Sequence, residues 1–266
     1  MYLSCLLIDV GNNPDRPRPG RLWLRNLYHV HQRLCMAFPS ASRKADDVDF
    51  LTPFKPDEFG NGQVHVRRAA GSGFLFRIDP LPNGRVMILV QSALEPNWEY
   101  AFHNAQYLLA APPEVKLFEP RFSKGQCLRF RLTVNPTRRL RENSPDAKEE
   151  SVGKRVPVQI DRVVDWLDGR GRTAGFSVEK EPAIIVRSWY VYFDKNKPKN
   201  EKGDGDKRTR DQKGRLRLVR FDGVLRVTDP DLFRQTLIHG IGSGKAFGFG
   251  LLSVAPANTA GSGKAT

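Results

Sequence analysis

The chain has 266 residues, 39% hydrophobic and 27% charged, with 43 Lys and Arg against 29 Asp and Glu for a net charge of +14. Such a composition belongs to a globular protein of one large or two small domains, not to a disordered chain, and no apolar run approaches the ~20 residues a bilayer span needs. The positive excess points to a polyanionic partner such as nucleic acid or an anionic membrane surface, and three scattered cysteines without CxxC or Cys/His spacing indicate neither a disulfide framework nor a zinc site, so a cytoplasmic location is expected.

In chain order, the β-favouring run 2–10 reads as a buried first strand ending at the turn residues Gly11-Asn12-Asn13-Pro14. From Asn26, a capping residue, Leu27, Val30, Leu34 and Phe38 recur at helical spacing until Pro39, predicting a helix over 26–38. Residues 73–79 and 85–92 are expected to form a hairpin joined by Pro80-Leu81-Pro82-Asn83-Gly84, and Ala110-Ala111-Pro112-Pro113 is the best domain boundary. Beyond it, 127–134 alternates apolar and basic residues like a half-buried strand closed by Asn135-Pro136. A short helix follows at 163–167, then strands at 183–193 and 216–227 joined by a polar connection at 195–214 that is expected to be mobile until something binds it. A helix at 229–237 and a short strand at 251–254 complete the order. The expected division is 1–109, a linker at 110–119, 120–256 and a disordered tail at 257–266, and the expected class is α+β with two tandem ferredoxin-like (RRM-like) domains.

The charge is concentrated. Residues 121–155 carry a net +6 and residues 195–220 a net +7, nearly the whole excess. Two basic segments form a footprint for a polyanion, whereas a solubility surplus would be spread; a solvated loop is the plainer reading of either segment.

The helix carries two histidines, which a rotation of ~100° per residue separates. His31 and Tyr28 share one shoulder of the apolar stripe with Cys35 between them, and His29 faces solvent. A residue at the edge of a packed stripe is held yet reaches solvent, as acid/base work requires, and imidazole titrates near neutrality. The alternative for His31 is a packed core histidine, and for Cys35 a small buried hydrophobe. A dense glycine run, Gly240-Ile241-Gly242-Ser243-Gly244-Lys245-Ala246-Phe247-Gly248-Phe249-Gly250, follows the 229–237 helix. It lacks the residues of a P-loop and the placement of a dinucleotide fingerprint; Gly242, Gly244 and Lys245 could approach phosphates, or the run could simply make tight turns.

Taken together, Met1-Tyr2-Leu3-Ser4, Leu27-Tyr28-His29-Val30-His31-Gln32, Leu128-Arg129-Phe130-Arg131-Leu132 with Asn135-Pro136, and Gly240 to Leu252 followed by Ser253-Val254-Ala255-Pro256 closely resemble the CasE family. This is the CRISPR RNA-processing endoribonuclease subunit of type I-E Cascade. The resemblance implies two ferredoxin-like domains, binding of the CRISPR repeat hairpin, and cleavage 3′ of its stem. It implies attack by a ribose 2′-hydroxyl without metal or cofactor, giving a 2′,3′-cyclic phosphate and a 5′-hydroxyl, and retention of the product beside other Cascade subunits. Its catalytic Tyr-x-x-His pair falls on Tyr28 and His31. The stretches 40–73 and 195–214 are longer than the resemblance leads one to expect.

An A-form stem offers phosphates and 2′-hydroxyls rather than base edges, so Arg129, Arg131, Arg138, Arg139, Lys154 and Arg155 are the candidate RNA contacts. A non-catalytic subunit that binds structured RNA, and a scaffold whose basic loop meets an acidic protein, are the alternatives.

Overall fold

The computed structural model describes residues 1–13, 17–38, 73–142, 151–180, 183–194 and 213–257. It divides into two compact units: Met1–Glu119 with Val191–Leu216 and Ala246–Gly248, and Pro120–Tyr190 with Arg217–Lys245 and Phe249–Thr266. Nearly all of the expected insertion at 40–73, most of the polar connection at 195–214 and the tail from residue 258 lie outside the described residues.

In the first unit the order is β1 (Tyr2–Asp9), α1 (Pro19–Leu24), α2 (Leu27–Cys35), β2 (Phe74–Leu81), β3 (Arg85–Ser92), α3 (Trp98–Phe102) and β4 (Glu114–Leu117). The strands form one antiparallel sheet in the order β2-β3-β1-β4: the excursion through α1 and α2 leads to the edge strand β2, β3 returns beside β1, and α3 brings β4 to the other side of β1, as in a ferredoxin-like domain. Ser4, Leu6 and Ile8 turn one face of β1 inward, and the core continues through Val30, Leu34, Phe76, Ile88, Val90, Trp98 and Phe102. The β2–β3 turn needs left-handed backbone at Asn83 (φ 61°) and Gly84 (φ 66°), residue types that tolerate it.

Two sequence expectations change here. The segment taken as linker holds β4, which pairs Tyr2 with Leu117 and Cys5 with Glu114 in the first sheet. A four-residue edge strand whose residues are all exposed leaves too short an alternation to stand out between flanking prolines. The helix ends at Cys35, and Met36 to Phe38 form a turn, although Phe38 remains buried as its place on the stripe requires. Asn26 caps it as expected, its side chain accepting from the Tyr28 N–H at 3.0 Å.

The second unit runs β5 (Cys127–Val134), β6 (Thr137–Arg139), β7 (Arg155–Pro157), α4 (Val163–Thr173), β8 (Phe176–Val178), β9 (Ile185–Asp194), β10 (Lys213–Val227), α5 (Pro230–His239) and β11 (Leu252–Pro256), with the ends of β9 and β10 grouped in the first unit. Its sheet has the order β11-β5-β10-β8, again ferredoxin-like, with β9 paired to β10 and β6 to β7 in a small separate hairpin. Leu128, Phe130, Leu132 and Val134 of β5 pack with Leu167, Phe176, Phe221, Leu225, Phe233 and Leu237. Helix α4 outruns the expected 163–167 because tertiary packing overrides the low helix propensity of Gly169 and Gly171. Gly171 is buried where a Cβ would lie 2.7 Å from the Phe176 carbonyl oxygen.

Candidate functional site

Helix α2 separates its histidines as the periodicity predicts: His29 is exposed, whereas His31 lies among the buried residues. His31 is more enclosed than a stripe-edge residue should be, with 8% of its surface exposed. The reason is β2, whose aromatic residues extend the core over the helix shoulder. The His31 ring lies 5.6 Å from that of Phe74 and 6.3 Å from that of Phe76, nearly parallel to the latter at 16°. One turn further along, Cys35 Sγ stands 3.6 Å from His31 Nε2. Tyr28, one turn earlier, is half-buried; burial, and then the field of Cys35, raise its pKa, so at neutral pH it is a phenol able to donate.

Phe76 has a second neighbour. A methyl group on Gly248, in the Ala246–Gly248 piece that belongs to this unit, would lie 2.9 Å from Phe76 Cε2. His31 and Gly248 therefore both lie against the Phe76 ring within this unit.

The basic candidates belong to the second unit. Arg129, on the outward face of β5, donates from Nε to the Pro256 carbonyl at 3.3 Å. Arg131 on the same face is engaged: its Nε donates to Asp222 at 2.6 Å, and Arg220 Nε donates to the other oxygen of that carboxylate at 2.6 Å. Burial would raise the pKa of Asp222, but hydrogen bonds from Arg220 and Arg131, and then their charges, hold it below the ordinary carboxylate value. Of the other candidate contacts, Arg138, Arg139, Lys154 and Arg155 are brought together by the β6–β7 hairpin, in which Arg139 pairs with Arg155. Arg139 Nε also donates to the Gly153 carbonyl at 3.0 Å. Sequence reasoning missed Arg220 and Asp222, and the register Asp222↔Arg131 that joins them is set by strands distant in sequence.

The glycine motif leaves α5 and folds back on the end of β5. The Ile241 N–H donates to the Gly250 carbonyl at 2.9 Å, the Gly250 N–H to the Thr133 carbonyl at 2.8 Å, and Asn135 forms a bridge with Ser243. Gly242 and Gly244 (both φ 81°) and Gly250 (φ 90°) take left-handed backbone, and a Cβ at Gly250 would lie 2.6 Å from the Ile241 oxygen. These turns, with Phe249 buried, account for part of the glycine content without a ligand. Lys245 opens a short 3-10 turn and is half-buried. Among the described residues, no three His, Cys, Asp or Glu side chains gather to hold a metal ion, and no helix is long and apolar enough to cross a membrane.

Over residues 1–256 the chain matches the family described as CRISPR associated protein. It is 34% identical over 200 residues to the CRISPR-associated endoribonuclease Cse3 of Thermus thermophilus, a span covering 72% of this chain and 85% of that protein. It is 26% identical over 258 residues to the Cascade subunit CasE of Escherichia coli, covering 96% and 100% of the two chains. Among solved structures, Cse3 bound to a 19-nucleotide RNA superimposes with a TM-score of 0.65 at 29% identity, over 96% of this chain and all of that one. Thermus thermophilus Cse3 with an RNA representing a pre-cleavage complex gives 0.64 at 27% identity, over 96% and 98%.

Proposed function

This chain belongs to the CRISPR-associated protein family, and on that premise we propose that it is a CRISPR-repeat-specific, metal-independent endoribonuclease that binds the repeat hairpin of a precursor RNA and cuts it 3′ of the stem. In this reading a ribose 2′-hydroxyl attacks the scissile phosphorus, its proton is taken up, and the departing 5′-oxygen receives one. The products are a 2′,3′-cyclic phosphate and a 5′-hydroxyl. The enzyme then stays on the hairpin as a Cascade subunit. Relatives named as an endoribonuclease and as a Cascade subunit, and a relative held with RNA before cleavage, support the class of activity.

The observation that carries the reading is the placement of an imidazole and a phenol one turn apart on α2, with the imidazole plane constrained by Phe74 and Phe76. His31 is the group that moves protons, because it alone of the two exchanges them near neutral pH. Tyr28, kept protonated by burial and then by Cys35, donates a hydrogen bond to a phosphate oxygen. Exposed cations on the β6–β7 hairpin, together with Arg129, hold the backbone of the stem, while Gly242, Gly244 and Lys245 present amides and charge to a phosphate.

The decisive experiment is cleavage of a hairpin repeat RNA in excess chelator. Wild type is expected to cut and His31→Ala to be inactive while binding the hairpin within about threefold of wild type, since chemistry and backbone contacts reside on different residues. Full activity of His31→Ala would remove the assignment and leave an RNA-binding subunit; a strict magnesium requirement would remove the metal-free mechanism.

A further inference from the structure

A repeat hairpin within a precursor RNA continues into single strand, and none of the stem contacts named above attends to that strand. We propose that Trp189, on the outward face of β9 in the second unit, stacks on an unpaired base of the RNA flanking the hairpin, with Arg187 beside it on the backbone of the same strand. This rests on the reading of a repeat hairpin held within a longer RNA.

Three observations support it. Of the four tryptophans of the chain, Trp98 is buried, Trp23 and Trp166 are half-buried, and Trp189 is 41% exposed. An indole is the side chain with most to gain from burial, and one left open on a strand offers a large planar surface to a planar partner. The second observation is its placement. Ile184, just before β9, and Val186 pack against the core of the second unit, so strand alternation turns Ile185, Arg187 and Trp189 to the other face of the sheet. That is the face on which Arg129 and Arg131 of β5 stand, opposite Val224 and Asp222 of β10, the strand to which β9 is paired. The third is charge. Arg129, Arg131, Arg187 and Arg220 share this face with Asp222, while Arg226 is paired with Glu179. Guanidinium groups outnumber carboxylates around the ring, which suits a polyanion. A ring to stack on, set among cations that hold a backbone, is how proteins bind single strands. A paired stem keeps its base faces closed and offers an indole nothing, so the partner is an unpaired nucleotide.

The probe is a repeat hairpin with a 2′-deoxy sugar at the scissile position, so that it stays whole, prepared blunt, with an unpaired extension on its 5′ side, and with one on its 3′ side. One of the extensions is expected to tighten binding to the wild-type chain by roughly 5- to 100-fold over the blunt hairpin, the range that one stacked base supplies. Trp189→Ala should lose that gain while binding the blunt hairpin within about twofold of wild type, as independent contacts do, and that second value also shows that the variant is folded. Trp189→Phe, which keeps a ring, should retain most of the gain; Trp189→Leu, which keeps apolar bulk without one, should not. The emission of Trp189, isolated as the difference between wild type and Trp189→Phe, should be quenched by the extended RNA and not by the blunt hairpin. Arg187→Ala should shrink the gain and make what is left less sensitive to salt.

Extensions that add nothing to wild-type affinity overturn the proposal, as does a gain that survives Trp189→Ala or that Trp189→Leu keeps in full; the exposed ring would then belong to a contact with another protein. A chain that binds none of the three RNAs would overturn the hairpin reading and this proposal with it. That failure is distinct from a blunt hairpin bound tightly with no gain from either extension, which overturns the flanking-strand site alone.

Discussion

Asp222 takes charge-assisted hydrogen bonds from Arg220 and Arg131 on neighbouring strands of the second sheet. Its folded pKa lies below the unfolded value, so the stabilisation is complete above the unfolded pKa near 3.9 and is lost as pH falls through the folded value. Asp222→Asn is therefore expected to lower stability at pH 7 by about 1–2 kcal/mol, a figure discounted for solvent screening of a partly exposed pair. It should also flatten the loss of stability below pH 4; urea melts at pH 7 and pH 3 check both, and equal losses at the two pH values would contradict the network. The same contact bears on function, since a guanidinium already shared with a carboxylate offers less to a phosphate. Arg131→Ala should weaken RNA binding less than Arg129→Ala does, as filter-binding constants at one salt concentration would show. At this scale the sequence was informative about α2: rotation per residue is enough to send His29 outward. It could not show that Phe74 and Phe76, more than forty residues away, would close over His31.

Among the elements, those long enough to repeat a pattern were legible, including β1, α2, β5, β10 and α5. The six-residue α1, the five-residue α3 and the three-residue β6, β7 and β8 were not, because less than two turns or two alternations carry no period. The basic hairpin was hidden for that reason, although its charges were plain. The glycine motif shows the converse: its composition stood out, but only the fold separates positions where a side chain is blocked from those where one fits. Gly250→Ala forces a Cβ to 2.6 Å from a carbonyl oxygen in left-handed backbone, whereas the nearest atoms to a Cβ at Gly242 are at 3.6 Å. Gly250→Ala is expected to cost about 2–4 kcal/mol, and Gly242→Ala only the ~1 kcal/mol of its backbone conformation. Thermal melts of the two variants test the difference. If a phosphate approaches the loop backbone closely, Gly242→Ala should nevertheless reduce hairpin affinity while remaining folded.

For the molecule as a whole, the +14 charge was the earliest signal, and much of what it implies concerns binding rather than shape. With roughly three to five phosphates neutralised by the hairpin and β5 cations, hairpin affinity should fall by about 40- to 500-fold between 50 and 200 mM salt. A slope near zero in a titration over that range would argue against backbone contacts. The two ferredoxin-like sheets were expected from the order of strands and helices. The grouping of Val191–Leu216 and Ala246–Gly248 with the first unit was not, because no local pattern says which core a late segment will join.

That grouping has a consequence in time. His31 leaves the ribosome before Phe76 of the same unit, but Gly248, which abuts Phe76, is made more than 170 residues later. The ring that backs the histidine is thus covered on one part of its surface only after the chain has been made through residue 248. A nascent chain halted before residue 240 should carry Tyr28 and His31 on a formed α2 yet pack Phe76 loosely. The candidate nuclease centre would then be the last part of the first unit to mature, after the basic strand β5 has already been made.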